Sequence, residues 1–174
     1  MRPRILIAGI GNIFFGDDAF GVEVIRRVAM RGLPTGCVVR DFGIRGLDLA
    51  FELLNPYDAV ILIDAAPRGE SPGTLYVLDL GSLRPIDTAT PITLDPHHLD
   101  PASVLAYATW IGADVEKVIL IGCEPRPCDH EAEQPVEMCE PVRAAIAPAA
   151  DLVESWAVRL AGAGRTTEKK EMSV

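Results

Sequence analysis

The sequence predicts an α/β fold: a single-domain, mostly parallel twisted sheet of about five strands sandwiched by helices. Short apolar runs of strand type alternate with helix-like segments, the order that produces a parallel sheet with crossover helices. Runs such as AVILI at Ala59–Ile63 are apolar at every position, as strands covered on both faces are. The chain of 174 residues, 49% hydrophobic and without internal repeats, can bury one good core and needs no second domain.

The elements follow in order. Ile5–Ile10 is an apolar strand that runs into the glycine turn Gly9-Ile10-Gly11-Asn12 and then into Asp17-Asp18 between Gly16 and Gly21. Phe20 to Arg31 places Phe20, Val24, Val28 and Arg31 at helical spacing, and Gly32, Pro34 and Gly36 end that helix. Cys37–Phe42 reads as a second strand with Asp41 at its carboxyl end. A turn through Gly43 and Gly46 leads to a short helix, Leu47–Leu54, stopped by Asn55-Pro56 because the residue before a proline avoids the α region. The third strand, Ala59–Ile63, ends at Asp64, and Thr74–Leu80 reads as a shorter, peripheral strand. After an irregular stretch closing on Asp95-Pro96-His97-His98, a helix starts at Pro101 with Asp100 as its N-cap and runs to about Ile111. Lys117–Cys123 is another buried strand, and the last helix runs from about Val136 to Leu160, bent by Pro141 and Pro148. The domain therefore spans residues 1–161, and the polar tail 162–174 is expected to be disordered.

Charge and composition exclude several classes of function. A net charge of −9 leaves no basic face for nucleic acid or an anionic membrane. No apolar segment approaches the roughly 18 residues of a membrane span, and the short apolar run after MRPR enters a glycine turn rather than a cleavage site. The cysteines Cys37, Cys123, Cys128 and Cys139 form no CxxC pair, so reduced thiols in a cytoplasmic protein are expected.

In a parallel sheet, three features meet at the carboxyl edge, where ligands bind: Asp17 with Asp18, Asp64, and His97 with His98. Carboxylates and an imidazole from separate strand ends make a partial coordination sphere with open positions, suited to zinc, nickel, cobalt or iron rather than magnesium. Each piece also has a plainer role. An aspartate before a helix is often an N-cap, and a histidine in a loop is often only solvated. Asp64 is harder to explain that way, because a carboxylate directly after AVILI loses hydration unless something pairs with it. Cys123, Cys128 and His130 share another strand-end loop and are read as ordinary loop residues in preference to a soft metal site, since Cys139 is distant in sequence. The opening glycines also suggest a dinucleotide-binding turn, but GxGxxG requires glycine where Phe14 stands, and Asp41 comes late for its ribose acid.

GIGNIFFGDDAFG at Gly9–Gly21, DFGIRGLDL at Asp41–Leu49, ILIDAA at Ile61–Ala66, DPHHL at Asp95–Leu99 and IGCEP at Ile121–Pro125 together resemble the hydrogenase maturation proteases. The likeness runs from the N-terminus to about Leu160. It implies an endopeptidase that trims the C-terminal extension from the large-subunit precursor of a nickel-iron hydrogenase. It implies Asp18, Asp64 and His97 as both metal-contacting and catalytic positions, with Asp17 as a supporting acid. The metal implied is nickel carried in by the substrate, with no nucleotide cofactor. The turn at Asp41, Gly43 and Gly46 departs from the family's acid-Gly-Gly-Thr, so it is expected to select the substrate peptide. A dinucleotide-binding oxidoreductase and a non-catalytic metal-binding assembly partner stand beside this reading.

Overall fold

The structure, a computed structural model, describes residues 2–85, 100–127 and 137–168, with side chains described as far as 163. Its elements are β1 Ile5–Ile10, a 3-10 turn Gly16–Ala19, α1 Phe20–Val28, β2 Cys37–Gly43, α2 Gly46–Glu52, β3 Ala59–Ala65, β4 Leu75–Leu83, α3 Pro101–Trp110, β5 Val115–Cys123 and α4 Glu140–Glu168. The strands form one five-stranded sheet in the order β2-β1-β3-β5-β4. Every pairing is parallel except that of β4 with β5. The connection leaving β3 is too short to carry the chain back across the sheet, so β4 starts at the carboxyl edge and runs the other way.

Period-two alternation along the strands builds two cores. Ile5 and Ile7 of β1, Ile61 and Ile63 of β3, and Ile119 and Ile121 of β5 face α1 and α4. Leu6, Ala8, Val60, Leu62, Val118 and Leu120 face α2 and α3. Because both faces are covered, these strands carry no polar alternation, and each fully buried Leu, Ile or Val contributes roughly 1.5–3 kcal/mol. α1 buries Phe20, Val24, Ile25 and Val28 at helical spacing, while Glu23 and Arg26 pair on its outer surface. It is about a turn shorter than the periodicity suggests. α3 begins as expected: Asp100 accepts from the Ser103 amide at 3.0 Å, and Pro101 fills the first turn, where a missing N–H costs nothing.

The last helix differs from the prediction at both ends. It starts at Glu140, so Pro141 lies in its first turn and opens the helix instead of bending it; Pro148 alone is interior. It continues to Glu168, so residues 162–168, expected in a polar tail, are helical; 169–174 lie outside the described residues. Among the described residues no helix is long and apolar enough to cross a membrane.

Gly21 shows how closely α1 is seated. A Cβ there would come within 2.2 Å of the Ile10 carbonyl oxygen and 2.4 Å of that of Ile63. Both obstacles are backbone, so neither yields by a rotamer change. Gly21→Ala is expected to destabilise the fold by about 1–3 kcal/mol, read as a lowered urea midpoint; an unchanged midpoint would mean that α1 can lift from the sheet at no cost.

Candidate active site

The exit from β1 is shaped around one aspartate. Gly11 has φ +133°, and a Cβ on it would lie 1.9 Å from the carbonyl oxygen of Asp18, so only glycine lets the returning turn close against it. Its amide donates to the Gly43 carbonyl at 3.0 Å, tying the ends of β1 and β2 together. The Asn12 amide donates to Oδ2 of Asp18 at 2.9 Å, and the Asn12 side-chain oxygen accepts from the Phe14 amide at 3.0 Å. The glycine turn thus positions an acid. Neither Asp17 nor Asp18 caps the helix that follows it: the residues preceding the 3-10 turn and α1 are Phe15 and Ala19, and neither terminus has a side-chain cap.

Asp64 lies in the central strand β3, 6% exposed, on the same side of the sheet as Val60 and Leu62. Its pKa is pushed up to about 8, by burial first, then by the neighbouring Asp18 charge and by Asp100 at the start of α3, against the opposing Ala65 amide. Burial also raises Asp18, against the amide of Asn12. The charge of half-buried Asp18 therefore disfavours that of buried Asp64 at the strand end. An arrangement of this kind is relieved either by a shared proton or by a cation.

The sheet register adds a residue that local patterns in the sequence do not reveal. Asp64 pairs with Gly122, and Gly122 pairs with Tyr76 on β4, so the three make one row across the sheet. A Cβ on Gly122 would strike the Tyr76 ring at 2.2 Å: the glycine leaves the space the ring fills. The Tyr76 hydroxyl donates to the Ala66 carbonyl at 2.6 Å, bracing the chain just beyond Asp64. Burial first, then the Asp64 charge, pushes the Tyr76 phenol up to about 12, so it stays a donor. Glu124, 4% exposed, braces the same loop by accepting from the amides of Arg68 at 2.7 Å and Gly69 at 3.1 Å. Its signal in the sequence is the one that marks Asp64, an acid directly after an apolar strand.

The other predicted positions separate. Asp17 is 5% exposed, and its carboxylate is occupied by the amides of Arg126 at 2.8 Å and Cys139 at 2.6 Å and by the Cys139 thiol at 3.1 Å. Asp41, Gly43 and Gly46 lie at the same sheet edge, where the Arg45 guanidinium donates to the carbonyls of Asp41 and Phe42 and holds the turn. Asp41 itself is exposed and lines a shallow depression with Arg40, Arg45, Asp48 and Glu52. Cys123 is fully buried in the core against α1 and α4, which removes it from any loop metal site. His97, His98, Cys128 and His130 lie outside the described residues. Among the described residues no three His, Cys, Asp or Glu side chains gather as a metal site. Next to the acids, the loop tip exposes Ile13, Phe14 and Phe15 at 46%, 70% and 48%.

A family model described as hydrogenase maturation protease matches residues 22–156, a span that opens within α1, past the acid-bearing turn. The chain is 32% identical over 161 residues to hydrogenase expression/formation protein HupD of Rhizobium leguminosarum bv. viciae, covering 90% of this chain and 77% of that protein. It is 30% identical over 152 residues to hydrogenase 2 maturation protease of Escherichia coli, covering 86% and 88%. Among solved structures, the hydrogenase maturating endopeptidase HybD from E. coli superposes with TM-score 0.64 at 28% identity, over 86% of this chain and 89% of that one.

Proposed function

The chain belongs to the hydrogenase maturation protease family and is thereby a peptide hydrolase of hydrogenase maturation, and we propose that it removes the C-terminal extension of a nickel-iron hydrogenase large-subunit precursor in the cytoplasm, recognising nickel already lodged there. The observation that carries this reading is the pair Asp18 and Asp64 at the carboxyl edge of a sheet: a buried Asp64 whose ionisation the half-buried Asp18 charge opposes, with no basic side chain among the described residues lowering either acid. A nickel ion arriving with the substrate supplies the missing charge. His97 is the proposed third donor. Asp100, a few residues further along in the sequence, lies within electrostatic reach of Asp64, which supports this assignment. The exposed apolar tip Ile13–Phe15 next to Asp18 suits contact with a protein better than with a small solute.

Nickel would supply Lewis-acid chemistry, polarising the scissile carbonyl or activating water. The chain's own residues do the rest. Asp18, fixed by the Asn12 amide, and Asp64, kept dry by its strand position, hold the cation-bearing segment at the sheet edge. Asp64 must give up a proton as that charge arrives. The rigid loop braced by Tyr76 and Glu124 keeps its backbone still while this happens.

The test is to incubate the protein with nickel-loaded and nickel-free large-subunit precursors and follow the precursor mass. Loss of a C-terminal peptide from the loaded form alone is expected. No loss from any loaded precursor would overturn the protease reading, and equal loss from the nickel-free form would overturn nickel recognition.

A further inference from the structure

Asp17 sits beside Asp18 in sequence, yet its carboxylate is spent on another part of the chain. Oδ2 accepts from the Arg126 amide at 2.8 Å and the Cys139 thiol at 3.1 Å, and Oδ1 from the Cys139 amide at 2.6 Å. Arg126 lies just after β5 and Cys139 just before α4, so one buried side chain holds both ends of the β5–α4 linker. The Cys139 carbonyl accepts the first helical bond of α4, from Arg143 at 3.0 Å, so Asp17 also places a negative charge at the amino end of a long helix, where it is favoured.

The geometry points to Asp17 as a positioning residue: it locks the β5–α4 linker onto the 3-10 turn and so fixes the direction in which Asp18 presents its carboxylate. This rests on the reading of Asp18 as a substrate-contacting acid. Asp17 and Asp18 are consecutive residues of one short turn, and among the described residues only the Asn12 amide holds Oδ2 of Asp18. Anchoring Asp17 to α4 and the linker keeps the turn fixed against Gly11. The two acids of the pair divide the labour, one facing the substrate and the other facing the scaffold. Charge-assisted bonds to amides suit that task, since a carboxylate offers acceptor sites to several donors at once and an asparagine turns two N–H groups towards them.

Two variants test the clamp from opposite ends. Asp17→Asn puts a donor against donors, and Arg126→Pro replaces a clamp N–H by a ring carbon set against the Asp17 carboxylate, breaking the clamp with both aspartates kept. In both, hydrogen exchange at the Asn12 amide should quicken at least about tenfold while Ile7 and Ile61 in the sheet keep their protection, which a general loss of stability would not produce. With the large-subunit precursor that the wild type cleaves, kcat should fall about tenfold or more with KM within about twofold, the signature of a misplaced group in an otherwise intact binding surface. Wild-type exchange at Asn12 in both variants would overturn the proposal, as would loosened Asn12 with unchanged kcat. If the wild type cleaves no precursor while Asn12 still loosens, the clamp stands and the protease reading fails.

Discussion

Asp64→Asn should abolish precursor cleavage, by about a thousandfold or more, and at the same time make the protein more stable at alkaline pH. Burial holds the folded carboxyl up to about 8, whereas in the unfolded chain it titrates at about 4. The folded state therefore keeps a proton that the unfolded state has released. Below about pH 4 both states are protonated and the site costs nothing; between about pH 4 and 8 stability falls as pH rises; above 8 both are ionised and the full penalty remains. Asparagine has nearly the same shape and no charge, so it removes this slope. Relaxation and water entry soften the cost of a buried acid, and a gain on the order of 2 kcal/mol at pH 8.5, with little or none at pH 4, is the expected outcome. Urea midpoints of wild type and variant at the two pH values measure it, the difference cancelling other titrating groups. A variant no more stable than wild type at pH 8.5 would show that Asp64 is not held dry. Binding of a cation should release a proton for the same reason, so it should strengthen as pH rises.

How much of this was legible in the sequence depended on how local the cause was. The parallel sheet, its two covered faces and the start of α3 follow from unbroken apolar strands, helical periodicity and an Asp-Pro start, all signals within a few residues. Pro141 looked like a kink because a proline in an apolar stretch of helix type has either role, and only the helix start at Glu140 separates them. Asp17 and Asp18 are alike in sequence; donors from Arg126 and Cys139, more than a hundred positions away, decide which one faces the scaffold. Tyr76 was missed because its place beside Asp64 arises from the pairing of β4 with β5 through Gly122, which no pattern within β4 encodes. Glu124 carries the same local signal as Asp64, an acid directly after an apolar strand, and is legible on that ground.

Asp18→Asn and His97→Ala should each lower cleavage of the nickel-loaded precursor by about a thousandfold, equivalent to roughly 4 kcal/mol of transition-state stabilisation, with almost no change in folding. For Asp18 the separation has a structural reason. The Asn12 amide needs only an acceptor at Oδ2, and an asparagine oxygen supplies one, so the turn and its contact with Gly11 survive while the charge that meets the cation disappears. Loss of that charge also relieves Asp64, because the Asp18 carboxylate is one of the groups that raise it. Asp18→Asn should therefore ionise Asp64 at a lower pH than the wild type does, a change visible in the carboxyl carbon resonance and independent of any substrate. The mass of the precursor after incubation reports cleavage, and thermal melts report the fold. Retained cleavage in both variants would place the site elsewhere in the chain. Cleavage lost only in Asp18→Asn, with His97→Ala at wild-type rate, would leave the acid pair as the protein's whole share of the nickel contact, and the other donors would belong to the precursor.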